Sequence, residues 1–253
     1  MNLQNKISIW LKNYLIDNNL KSCVIGISGG IDSAVTSTLC AMTGFKTYLV
    51  IMPINQNPDE TNRGIEHCAW LENQFNNVET INIELSNTYS TMKEIVPENF
   101  HNDLALANTR ARIRMSVLYM IAGSSKGIVV GTGNKVEDFG VGFFTKYGDG
   151  GVDISPIADL MKSDVYKLGK KLNIIDSILT AQPTDGLWDD KRTDEQQLGM
   201  SYNELEWAMI NIDQKPKNKN EEKIINIYKK HRKNNLHKMK KIPVFKINKD
   251  KNG

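Results

Sequence analysis

Apolar positions along the chain follow two alternating patterns. Leu3, Ile7, Trp10, Leu11, Tyr14 and Leu15 share one face at helical spacing and predict a first amphipathic helix. Strand candidates follow at Val24 to Ile27, Tyr48 to Met52, Val78 to Ile83 and Ile128 to Val130, with helices expected near Ser33 to Met42, Pro58 to Asn73 and Leu104 to Ala122. Strand–helix alternation implies a parallel sheet with right-handed crossovers, a Rossmann-like α/β fold flanked by helices. Ligands on such sheets bind at the carboxyl ends of the strands, where the loops at Ser28 and Gly131 fall. The helix from Leu104 is apolar at Ile113, Met115, Val117, Leu118, Met120 and Ile121, so burial in the core or in a subunit interface is expected.

Between Ser22 and Ser33 an apolar strand breaks into Ser-Gly-Gly-Ile-Asp-Ser and then opens a helix. Gly29 and Gly30 lack a Cβ, so the backbone can take positive φ and approach phosphate oxygens. The hydroxyls of Ser28 and Ser33 add donors, and the helix N-terminus favours anions. Asp32 then sits among phosphates, which makes sense with a cation between; Mg²⁺ typically combines one or two carboxylates with phosphate oxygens. Neither G-x-x-x-x-G-K-[ST] nor G-x-G-x-x-G occurs in the chain, which argues against kinase, GTPase and dehydrogenase readings. The loop resembles the PP-loop of the ATP pyrophosphatases, enzymes that split ATP into AMP and pyrophosphate.

Composition fits one soluble catalytic domain over residues 1–253. A chain of 253 residues with 40% hydrophobic content can bury a full α/β core, and no linker or repeat divides it. Apolar runs such as Tyr48 to Ile54 fall far short of the roughly 20 residues of a membrane span, and Met1 to Asn18 has no signal-peptide pattern. Cys23, Cys40 and Cys68 form no C-x-x-C pair, which fits a reducing cytoplasm and speaks against a metal–thiolate site. The net charge is +3, yet Lys229, Lys230, Arg232, Lys233, Lys238, Lys240 and Lys241 carry seven positive charges with no acid between them. This basic stretch from about 229 reads as a solvated helix end and tail, with contacts to a phosphate-bearing substrate as the alternative. It lacks the interleaved aromatics of a nucleic-acid footprint.

A second informative stretch begins Gly131-Thr132-Gly133-Asn134-Lys135-Val136-Glu137-Asp138 and continues through Thr145-Lys146-Tyr147-Gly148-Asp149-Gly150-Gly151-Val152-Asp153. Together with the Ser28 loop, Asn108 to Arg112, Pro183 to Trp188 and His237-Lys238, it resembles the ammonia-dependent NAD synthetases over roughly residues 1 to 240. The resemblance implies an adenine nucleotide alpha hydrolase-like fold. It also implies a ligase that turns deamido-NAD, ATP and ammonia into NAD, AMP and pyrophosphate through an adenylated nicotinate.

Residue roles follow from the same resemblance. Gly26, Ile27, Ser28, Gly29, Gly30, Ile31, Asp32 and Ser33 would grip ATP, with Thr132, Lys162 and Thr184 at further ATP positions. Asp32 and Glu137 would coordinate Mg²⁺, Lys162 would neutralise phosphate charge during adenylation, and Asp32, Lys162 and Asp153 form the catalytic set. Arg112, Lys146, Asp153, His237 and Lys238 match positions that bind deamido-NAD; two cations suit a pyrophosphate and a carboxylate. One residue more than expected separates Glu137 from Lys146, so either Glu137 or Asp138 could be the ligand.

The polar segment Asp185 to Thr193 is expected to form a lid that keeps water from the adenylate. Glutamine-dependent relatives carry an amidase domain before the synthetase, whereas here the synthetase part begins within about the first 25 residues, so ammonia is the expected nitrogen source. Relatives are homodimers with the dinucleotide site at the interface. A different PP-loop enzyme, amidating or tRNA-modifying, and a non-catalytic nucleotide-binding module are the competing classes. A tRNA-modifying enzyme would need an RNA-binding surface or catalytic cysteines, and a mere sensor would not need Asp32, Glu137 and Lys162 together.

Overall fold

Strand β1, Ser22–Gly26, runs through the middle of a parallel four-stranded sheet in the computed structural model, which describes residues 1–56, 58–184 and 193–247. It pairs on one side with β2, Lys46–Ile51, which pairs in turn with β3, Val78–Asn82, and on the other side with β4, Gly127–Val129. The order β3-β2-β1-β4 reverses direction between β1 and β4. Loops leaving these two strands diverge there and open a crevice at their carboxyl ends.

The helices are α1 (Leu3–Asp17), α2 (Ile31–Ala41), α3 (Pro58–Gln74), α4 (Ser86–Ile95), α5 (Asp103–Ser124), α6 (Lys162–Lys171), α7 (Asp176–Leu179), α8 (Asp194–Leu198), α9 (Tyr202–Asn211) and α10 (Lys219–Met239). Because strand side chains alternate, Cys23, Ile25 and Leu49 enter one core with Leu11, Leu15, Val35, Leu39 and Leu71 from α1 to α3. Val24 and Val50 enter the opposite core with Ile113, Met115 and Leu118 of α5. A third core joins Val136 and Val141 to Leu198, Leu205 and Tyr228 beneath the C-terminal helices.

The expected burial of α5 holds for one face. Ala111, Met115, Leu118 and Ala122 are buried, whereas Leu104 and Met120 point outward at 61% and 75% exposure. In α1, Leu11 and Leu15 are buried but Leu3 and Trp10 are exposed. The basic stretch departs further from a solvated end. It lies mostly within α10, whose Ile224, Ile225 and Tyr228 are buried, and three of its side chains brace the loop opposite. Arg232 donates to the carbonyl of Phe139 at 2.8 Å, Asn235 to that of Val141 at 2.9 Å and Lys238 to that of Phe144 at 2.7 Å. Lys229, Lys230 and Lys233 remain exposed. No helix among the described residues is long and apolar enough to cross a membrane.

Candidate active site

The loop after β1 is fastened by its own hydroxyls. The Ser28 and Ser33 oxygens are 3.1 Å apart, the Gly30 N–H donates to Ser28 Oγ at 3.2 Å, and Ser33 Oγ donates to the Gly30 carbonyl at 3.0 Å. Gly29 has φ +83°, and a Cβ there would lie 2.2 Å from the Glu60 carbonyl oxygen, so only glycine lets the loop pass the start of α3. Gly30 caps α2 with no side-chain bond to the first turn, leaving that end of the helix to a ligand. The cleft over this loop measures about 140 Å³ and is bordered by Thr132, Glu137, Lys162 and Thr184.

Two helix starts and one irregular turn meet in its floor. Asp32 stands in the first turn of α2, Lys162 begins α6, and Glu137 belongs to a π-helical turn, Lys135–Val141, capped by Asn134. The Lys162 ammonium is 2.6 Å from Asp32 Oδ2 and 2.9 Å from Glu137 Oε1. Buried Asn134 donates to Asp32 Oδ1 at 3.2 Å, and its own oxygen accepts the Glu137 N–H at 3.2 Å. Burial opposes the charge on Lys162, but the two carboxylates outweigh it and hold its pKa above the ordinary range. Burial likewise opposes charge on Glu137, yet Lys162 and the Tyr202 hydroxyl, 2.5 Å away, keep it ionised at lower pH than usual. The Tyr202 ring centroid lies 4.8 Å from the Lys162 ammonium.

Around this pair the described lining holds six carboxylates, of Asp32, Glu60, Glu137, Asp138, Asp149 and Asp194, against the cations Arg63 and Lys162. Asp138 packs against Gly133; burial and repulsion from Asp149, Glu137 and Asp32 push its pKa well up. A polyanion can enter such a cleft only with a cation. Asp32 and Glu137 already converge on one ammonium, and their hard oxygen donors are the ligands Mg²⁺ takes.

Arg112, Lys146 and His237 come together on the outside of this cleft. Arg112 Nε donates to the Lys146 carbonyl at 3.3 Å, and Lys146 Nζ lies 3.5 Å from the His237 carbonyl. Half-buried Lys238 turns inward; burial lowers its pKa while Asp149 and Asp138 pull the other way. Asp153 lies apart: its carboxylate accepts the Tyr119 hydroxyl at 2.9 Å and the Val129 N–H at 2.8 Å, and it lines neither cavity. Burial and the Asp153 contact push the Tyr119 hydroxyl up to about 12.

A family model described as NAD synthase matches residues 3–249. The chain belongs to the NAD synthase family. Among its relatives, the NH(3)-dependent NAD(+) synthetase of Mycoplasma genitalium is 40% identical over 78% of each chain, and that of Methanosarcina mazei is 38% identical over 84% of this chain and 82% of its own. Solved structures are similar as well. The NMN synthetase of Francisella tularensis has a TM-score of 0.85 at 32% identity over 97% of this chain and 98% of that one. The NH3-dependent NAD synthetase of Campylobacter jejuni has 0.77 at 25% identity over 97% and 100%.

A second cavity of about 230 Å³ adjoins the Ser28 loop between β1 and β4, lined by Gly26, Ile27, Met52, Arg114, Met115, Leu118, Val129 and Thr132. Its apolar walls suit a flat base. Thr184 borders both cavities and donates to Glu60 at 2.6 Å. The expected lid, Asp185 to Thr193, lies outside the described residues except for Thr193, which caps α8. Arg114, Arg63 and Tyr202 escaped the sequence reading, and Asn134 entered it only as part of the Gly131 to Asp138 stretch, with no role. Tyr202 had a usable signal, since Ser201 and Glu204 form a capping box that sets a tyrosine at the first position of α9.

Proposed function

We propose that the chain amidates the nicotinate carboxylate of deamido-NAD with ammonia, driven by cleavage of ATP to AMP and pyrophosphate. One arrangement carries this reading: the Asp32–Lys162–Glu137 cluster in the floor of a glycine-bent loop, at the carboxyl ends of two parallel strands. A carboxylate resists nucleophiles because of its charge and lacks a leaving group. When its oxygen attacks the α-phosphorus, the bond from that phosphorus to the bridging oxygen breaks and pyrophosphate departs. Ammonia then adds to the acyl carbon, loses a proton, and AMP leaves with the former carboxylate oxygen.

The loop from Gly26 to Ser33, with Thr132 and Thr184, binds ATP. Lys162 offsets the charge that grows on the phosphates. Asp32 and Glu137 would hold Mg²⁺, which when bound neutralises the phosphate oxygens of ATP and of departing pyrophosphate. Glu137 is favoured over Asp138, because it shares Lys162 with Asp32 whereas the Asp138 carboxyl is turned against Gly133. Arg112, Lys146, His237 and Lys238 bind the dinucleotide; Asp153 joins this set on the family resemblance alone, its carboxylate being held by Tyr119 and the Val129 N–H.

The reading includes a homodimer, supported by the outward Leu104, Tyr119 and Met120 of α5 beside Arg112. It also includes a cytoplasmic setting, supported by three buried free cysteines, and a single catalytic domain with no nucleic-acid partner. A second reading rests on the higher TM-score with the Francisella tularensis NMN synthetase, 0.85 against 0.77, and takes nicotinate mononucleotide as the acid. The test is incubation with ATP, Mg²⁺ and ammonium plus either acid. The proposal expects NAD from deamido-NAD with AMP in equal amount; faster amidation of the mononucleotide selects the second reading, and amidation of neither overturns both.

A further inference from the structure

Glu137 lies in a π-helical turn, an element often found at functional sites, so its carboxylate needs outside support to hold one orientation. That support comes from the C-terminal helices. The Tyr202 hydroxyl reaches Glu137 Oε1 at 2.5 Å, the same oxygen that takes the Lys162 ammonium at 2.9 Å. Two donors converging on one oxygen fix the turn of the carboxylate about its own axis.

Tyr202 is itself held at both ends. Its backbone N–H donates to Glu195 Oε1 at 2.8 Å, and its single phenolic hydrogen goes to Glu137, the nearer of two carboxylates, since Oδ2 of buried Asp194 stands 3.1 Å from the same hydroxyl. Asp194 and Glu195 open α8 behind the capping box of Thr193, and Tyr202 opens α9 behind that of Ser201. The tyrosine is therefore a short strut between two capped helix starts and the floor of the cleft. Its ring also lies 4.8 Å from the Lys162 ammonium, on which the cation–π attraction acts.

We infer that Tyr202, steadied by Glu195, is a positioning residue of the cation site, presenting the Glu137 carboxylate beside Asp32 to a divalent ion and keeping Lys162 between them. The inference rests on the reading of Asp32 and Glu137 as the metal ligands. Tyr202 touches no reacting atom in this role. It acts by sparing the ion the work of ordering Glu137.

Tyr202→Phe keeps the ring over Lys162 and removes only the hydroxyl. The experiment measures the melting temperature of the full chain with saturating α,β-methylene-ATP, which cannot be cleaved between its first two phosphorus atoms, as Mg²⁺ is titrated. The Mg²⁺ midpoint of the thermal shift should rise about tenfold in Tyr202→Phe, the size expected for losing one hydrogen bond to a charged group. Glu195→Ala, which removes the acceptor of the Tyr202 N–H, should raise it about threefold in the same direction, and serves as the probe if Tyr202→Phe does not fold. Glu137→Gln separates the two claims. If Glu137→Gln moves the midpoint while Tyr202→Phe and Glu195→Ala match the wild type, Tyr202 is merely structural and the inference falls alone. If Glu137→Gln also leaves the midpoint unmoved, the metal reading fails and takes the inference with it.

Discussion

The Lys162 ammonium donates to Oδ2 of Asp32 at 2.6 Å, joining the first residue of α6 to the first turn of α2 across 130 positions of sequence. Its side chain is 4% exposed, so the pair is made largely out of water. Removing the cation alone leaves Asp32 and Glu137 facing each other without compensation, which in buried pairs costs about 3 kcal/mol or more. Lys162→Met should therefore lower stability by about that amount in urea titrations, and added Mg²⁺ should restore part of it. Undiminished stability would contradict the pairing.

Asp32→Asn tests the other partner. The amide preserves shape and leaves Lys162 paired with Glu137, so the fold should survive. Exchange of radiolabelled pyrophosphate into ATP, in the presence of deamido-NAD, should fall about a hundredfold or more, the loss typical of a preorganised electrostatic group. Exchange at the wild-type rate would remove Asp32 from the metal site.

Gly29→Ala places a methyl carbon 2.2 Å from the Glu60 carbonyl oxygen at a backbone φ of +83°. Backbone of α3 must shift or the loop must open. Stability should fall by about 1–3 kcal/mol, and ATP retention in equilibrium dialysis should drop with it. Wild-type ATP affinity in a folded Gly29→Ala protein would show that the loop does not need this curvature.

The strands were legible because β1 and β2 are apolar on both faces and end at glycine or proline punctuation, as at Gly26 and Pro53. The tight loop from Ser28 to Ser33 was legible because its glycines and hydroxyls are local in sequence. What the residues alone did not show, and only the family resemblance supplied, was brought in from a distance. Glu137 and Lys162 gain meaning only when the π-helical turn and α6 fold against α2, and nothing in a lysine at the start of a polar helix announces burial. Helix α10 read as solvated because its charged residues dominate the pattern, although Ile224, Ile225 and Tyr228 mark an inner stripe at helical spacing. Arg232 and Lys238 reach along that stripe to backbone carbonyls, a use of cationic side chains that charge counting does not reveal.

His67 supplies a pH test independent of the chemistry. It is fully buried, stacked on Trp70 with ring centroids 5.6 Å apart, and its Nε2 lies 2.9 Å from Ser37 Oγ. Burial pushes its pKa down to about 4. An unfolded histidine protonates near pH 6.5, so the unfolded chain takes up the proton first and stability is lost as pH falls from about 6.5 toward 4. Between about pH 7.5 and about pH 5 the loss from this residue should be roughly 2 kcal/mol. His67→Gln should show that much less pH dependence in urea titrations; an equal dependence in both proteins would contradict the burial argument.

The central claim is that the acid's own oxygen attacks the α-phosphorus of ATP. It is tested most directly by labelling both oxygens of the nicotinate carboxylate of deamido-NAD with oxygen-18 and following the label by mass spectrometry after one turnover with ammonium. The account predicts one labelled oxygen in the phosphate of AMP, one in the amide of NAD and none in pyrophosphate. Unlabelled AMP, or label recovered in orthophosphate beside ADP, would contradict it.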